Sequence, residues 1–257
     1  MLLRRVVTHV RRQEWTAIVI DFLIVVVGVF IGIQVSNWND ERLREQTAQT
    51  YIERIRDDLR ANLDDLQQRL AYFSQVRTNA LGALSALDQP EDPSNKQFLI
   101  DTYQASQMLP RRFGRDTYDE ILSVGANDAI SDMAVRNRLA NFYRSIEAQN
   151  ILLKPDMQYR SSIRAHMPYG VQSAIRSICG DIADTGEDGE PIISLPASCD
   201  PDLTPDEVSG AVAAILKLDI RHDLTRRITD LDLKLRALQQ MIDRANLLDA
   251  YLKNLYQ

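Results

Sequence analysis

The sequence predicts an all-α protein, with one N-terminal transmembrane helix followed by a periplasmic helical bundle built on a long antiparallel helical hairpin. Three observations lead there. Residues 20–38, "IDFLIVVVGVFIGIQVSNW", are almost wholly apolar. Two long stretches, about 40–87 and 218–256, carry apolar residues at steps of three and four, the spacing of one helix face. Glycine and proline number only 10 and 9 in 257 residues, too few for a turn-rich, many-stranded fold.

Residues 1–14 read as a cytoplasmic basic amphipathic arm. Leu2, Leu3, Val6, Val7 and Val10 supply an apolar side, and Arg4, Arg5, Arg11 and Arg12 would meet anionic lipid. Residues 15–38 read as the transmembrane helix. No charge occurs from Phe22 to Asn39, and Trp15 and Trp38 bracket the stretch as an interface belt. The steps between the two tryptophans span roughly 35 Å, the hydrocarbon core plus some interface. The stretch is apolar on every face, unlike a core helix, and no small-x-small site closes it, unlike a cleaved signal peptide. The arginines before it outweigh the mixed "NDERLRE" after it. The positive-inside rule therefore expects a bacterial inner-membrane protein with the N-terminus cytoplasmic and the C-terminal domain periplasmic.

Residues 39–257 make up that domain. Its first helix has Ile52, Ile55, Leu59, Leu63, Leu66, Leu70, Phe73 and Val76 on one face. Asn39 or Asp40 would cap a new helix, or the membrane helix runs straight through, since nothing there forces a break. A head of shorter helices is expected over 97–216. Gly125 and Pro155 end two of them, and Ser131 or Asp132 caps one. Thr204, Pro205 and Glu207 announce another start. Residues 179–203 form an acidic loop bounded by Cys179 and Cys199, the only two cysteines; an oxidising compartment favours a disulfide between them. The last helix has a heptad seam: Leu224, Ile228, Leu231, Leu235, Leu238, Ile242, Ala245, then Leu248, Leu252 and Leu255 after one slip. It pairs either with the 50–87 helix of the same chain or with a second chain.

Two stretches, "WTAIVIDFLIVVVGVFIGIQVSNWNDER" (15–42) and "TYDEILSVGANDAISDMAVRNRLANFYRSIE" (117–147), resemble a family of bacterial single-pass inner-membrane proteins known by a domain of unknown function. Tyr118, Asp119, Glu120, Ser123, Gly125, Leu139 and Tyr143 stand at the places of its soluble motif. The resemblance implies an inner-membrane protein and brings no activity, cofactor or catalytic residue.

Chemistry is hard to find in the chain. A net charge of −6 argues against nucleic acid as a partner. No nucleotide loop, zincin motif, nucleophile elbow or CxxC occurs. His222 reads as solvated, and His166 as a possible buried partner of an acid. "DTGEDGE" fails the calcium-loop pattern, because Leu195 stands where a bidentate Glu is needed. The expectation is therefore no enzyme, no metal, no cofactor and no small-molecule substrate. One constellation remains. At about 100° per residue, Val25, Gly28, Gly32 and Ser36 fall within about 60° of Asp21. A face of small residues lets two helices approach closely in lipid, and a carboxylate inside the Trp15 boundary is costly unless something meets it. The expected function is a membrane-anchored interaction or scaffold protein, assembling through this face with a copy of itself or another membrane protein. The alternative is a proton-coupled stator-type subunit using Asp21. The layout is similar to that of the flagellar-motor B and biopolymer-transport D families, although their soluble parts contain strands and this one reads as helical.

Overall fold

The computed structural model describes residues 15–88, 96–109, 113–125, 130–152, 157–186, 189 and 191–256. The basic arm expected at 1–14 lies outside them. The protein is mostly helical, with one long apolar N-terminal helix.

That helix, α1 (Trp15–Ala86), runs for 72 residues without interruption, roughly 108 Å at 1.5 Å per residue. The membrane-length stretch thus continues straight into the domain, and Asn39 and Asp40 begin no new helix. The reason is local: between Gly32 and Gly82 there is neither glycine nor proline. Residues 19–47 are exposed on every side, and Ala48 is the first buried one. From there Ile52, Ile55, Leu59, Leu66, Phe73, Val76, Ala80 and Ala83 are buried at alternating steps.

The short helices follow as α2 (Lys96–Gln104), α3 (Asp116–Ser123), α4 (Met133–Leu152), α5 (Met157–His166), α6 (Tyr169–Cys179) and α7 (Pro205–Ile215), and the chain closes with α8 (Ile220–Tyr256). Their ends match the capping residues read from the sequence. The Asp132 carboxylate accepts from the Ala134 amide at 2.7 Å, and Gly125 takes a φ of 69° after α3, a conformation only glycine adopts cheaply. Thr204 and Glu207 form a reciprocal capping box with Pro205 in the first turn of α7.

α8 lies along α1. Arg56 reaches Asp249 at 2.7 Å, and Arg77 reaches Asp232, so the numbers fall on one helix as they rise on the other. Leu224, Leu231, Leu238, Ile242, Ala245, Leu248 and Leu252 are buried, Ile228 and Leu235 partly so, while Leu255 is exposed. Arg227 and Lys234 are buried on this helix too. α2 crosses α1 where Gly82 leaves room: a Cβ at 82 would collide with the Asp101 carboxylate. That carboxylate is buried and accepts from the Gln97 amide, and burial raises its pKa above the ordinary range.

The segment between the cysteines is more ordered than the loop expected there. Two strands, β1 (Ile182–Thr185) and β2 (Pro191–Ser194), pair antiparallel with Ile182 opposite Ser194 and Thr185 opposite Pro191. Four-residue strands among acids and glycines leave no readable period-two pattern. Cys179 and Cys199 form the disulfide, their Cα atoms 5.4 Å apart. His166 is exposed, its Nδ1 2.9 Å from the Ser162 carbonyl, and so is not the buried partner of an acid; His222 is exposed.

Candidate functional site

The face singled out in the apolar segment is uncovered among the described residues. Asp21, Val25, Gly28, Gly32 and Ser36 are all exposed. A Cβ added at Gly28 or Gly32 would meet nothing within 4 Å. Neither glycine is therefore required by packing inside the chain. Trp38 is 68% exposed at the far end of the segment. Trp15 opens α1, and its side chain lies outside the described residues.

A second feature was not anticipated. A cleft of about 1180 Å³ runs along α1 from Asp58 to Gln75. Two side-chain amides hold its walls as a strand would hold a neighbour. Asn62 donates to the Gly114 carbonyl at 2.7 Å and accepts from the Gly114 amide at 2.9 Å. Gln75 does the same with Leu195, at 3.2 Å in each direction. Tyr72 donates to Asp181 at 2.9 Å; burial, then that carboxylate, pushes its hydroxyl far above the usual phenol range. Asp58, Asp64, Asp65 and Asp116 line the cleft, and no Lys or Arg does among the described residues. A signal for it existed in the sequence. Asn62 and Arg69 occupy buried steps of the α1 heptad. A polar residue at a core step has to be met by something polar, here the non-helical segment at Gly114 in the case of Asn62.

A third feature is a buried group of cations around the end of α2. Arg227 is 1% exposed and donates to the carbonyls of Ala105 (3.0 Å) and Gln107 (2.9 Å). Lys234, equally buried, shares the Asp230 carboxylate with it. Arg160 donates to the Ser106 carbonyl, and Arg164 to Ser106 Oγ, each at 3.0 Å; burial lowers the Arg164 pKa. The carbonyls left open where a helix ends carry partial negative charge, and Arg227 and Arg160 satisfy three of them, at Ala105, Ser106 and Gln107.

The residues of the soluble motif come together. Tyr118 on α3 stacks on Tyr143 of α4, centroids 4.2 Å apart. Arg115 pairs with Asp119 at 2.8 Å, and Glu120 pairs with Arg54 of α1, which lowers the Glu120 pKa. Ser123 Oγ donates to the Glu120 carbonyl, and Leu139 and Tyr143 are 2% exposed. The motif thus docks α3 on α1 and stacks it against α4, which itself packs along α8, an architectural role.

Among the described residues no group of three or more His, Cys, Asp and Glu side chains is placed to hold a metal ion. No family model, curated protein or solved structure matches the chain.

Proposed function

We propose that the protein is a single-pass, membrane-anchored interaction or scaffold protein. Its apolar segment crosses the bacterial inner membrane, its N-terminus is cytoplasmic, and residues 39–257 form a periplasmic helical bundle. α8 and the part of α1 beyond Ala48 act as a long antiparallel helical hairpin, which carries the head of shorter helices. The face of Asp21, Gly28, Gly32 and Ser36 packs on another transmembrane helix.

One observation carries this reading. The helix that holds the small-residue face is the same helix that frames the domain, and none of the described residues covers that face. Apolar side chains exposed all round suit lipid, whereas a row of small side chains with a carboxylate suits protein. The disulfide supports an oxidising compartment.

Gly32→Ile tests it. A β-branched side chain at that position holds two helices apart, so self-association of the membrane segment in a genetic dimerisation assay is expected to fall to background. Undiminished association, together with no cross-linked membrane partner, overturns the proposal.

A further inference from the structure

We infer that the partner of this face is a second copy of the chain, lying parallel, and that the contact continues out of the membrane along Asn39, Leu43, Gln46 and Thr50 with the two heads on the outside. This rests on the reading that the apolar segment spans a membrane and packs through its small-residue face; it adds the partner, its direction and a second contact region.

The stalk carries the inference. Residues 39–47 are a helical stretch exposed throughout among the described residues, and Leu43 is 53% exposed within it. At about 100° per residue, Thr50 points between about 160° and 200° away from Ala48 and Ile52, where the domain packs. Thr50, Glu53 and Asp57 are accordingly exposed while Ala48, Ile52, Ile55 and Leu59 are buried. The domain therefore hangs on one side of α1 and leaves the other side open. On the same projection Asn39, Leu43, Gln46 and Thr50 share a strip about 80° wide with Asp21, Gly28, Gly32 and Ser36. No glycine or proline lies between Gly32 and Thr50 to turn the helix. A helix seated on the glycines meets Leu43 next, and the head does not obstruct it.

Charge identifies the occupant. Asp40 and Arg42 flank the strip on opposite sides, each about 80° from its centre. Arg44 pairs with Glu41 at 4.0 Å, whereas Asp40 and Arg42 make no ion pair among the described residues. In a parallel two-fold pair the left flank of one helix faces the right flank of the other. Arg42 of each copy then faces Asp40 of the second copy, so one symmetry operation satisfies both charges twice, around a Leu43–Leu43 contact. Past Thr50 the strip carries Arg54 at one edge, and Glu120 of α3 pairs with it, so the domain reaches the strip there and the contact between copies ends at Thr50.

Single-cysteine cross-linking of the full chain in membranes tests this. Both native cysteines are locked in the disulfide, so an added thiol is the only free one among the described residues. Under catalysed air oxidation, Leu43→Cys is expected to give a covalent dimer as the major species. Glu41→Cys, about 160° round the helix, is expected to stay monomeric. Arg42→Glu in the Leu43→Cys chain lowers the yield several-fold, and adding Asp40→Arg restores it. Equal yields at 41 and 43 overturn the inference, as does a Leu43→Cys adduct with a different protein. Linkage at Gly32→Cys without linkage at Leu43→Cys overturns it while leaving the membrane contact standing. Linkage at neither position overturns the inference and leaves the small-residue face to a membrane helix other than a second copy.

Discussion

Replacing Arg227 by Met is expected to destabilise the protein by about 3–5 kcal/mol, the cost of removing one partner from a buried, hydrogen-bonded charge network. Arg227 is 1% exposed and serves the Ala105 carbonyl, the Gln107 carbonyl and Asp230 at once. Met fills similar volume but donates nothing. Two buried carbonyls at the end of α2 lose their donor, and an unsatisfied buried acceptor costs about 1–3 kcal/mol. Lys234 is the internal comparison. It is just as buried, but its hydrogen bond goes to Asp230 alone, which is partly exposed and keeps Arg227. Lys234→Met is therefore expected to change stability by less than about 1.5 kcal/mol, because the carboxylate it leaves is partly exposed and keeps Arg227, so no buried charge is stranded. Chemical denaturation of the full chain in detergent measures both. Hydrogen exchange at 103–109 should rise in the Arg227 variant only. Equal losses in the two variants would show that buried charge, rather than the carbonyls at the end of α2, sets the cost.

Removing the disulfide is the second large effect. Cys179 and Cys199 are 20 residues apart, and opening a loop of that length is expected to cost about 3 kcal/mol. The loss should be local at first. The β1–β2 segment is held by Tyr72 on Asp181, by Gln75 on Leu195, by Gln104 on the Cys179 carbonyl and by the bridge itself. In the Cys179→Ser/Cys199→Ser double variant, hydrogen exchange over 182–194 is expected to rise ahead of exchange in α1 and α8, and the acidic cleft to lose one wall. Unchanged exchange over 182–194 would mean that the bonds from these three side chains suffice.

These two cases mark what sequence patterning can and cannot reach. Leu224, Leu231, Leu238 and Leu252 are legible because a helix buries whatever recurs at three and four, and the capping residues of α4 and α7 are legible because unpaired amides need an acceptor. Arg227 and Lys234 stand on the same buried face, which helical spacing does not reveal; the burial of Arg227 depends on carbonyls more than 100 residues away at the end of α2. Asn62 and Gln75 are illegible in the same way: their role is set by Gly114 and Leu195, which helical spacing does not link to them. β1 and β2 are too short to show a period, and their order comes from the disulfide and from α1. The face of Asp21, Gly28, Gly32 and Ser36 was visible because it is a property of one helix. What lies against it is not encoded in that helix alone, and the stalk beyond it supplies the next clue through Asp40, Arg42 and Leu43.

The most direct test of the account is protease treatment of intact bacterial spheroplasts carrying the chain with a tag on each end, followed by alkaline carbonate extraction of the membranes. An anchored protein with its domain outside predicts that the N-terminal tag stays in the pellet on a short fragment, while the C-terminal tag is lost without lysis. A chain released by carbonate, or one whose C-terminal tag survives until the cells are broken, would contradict it.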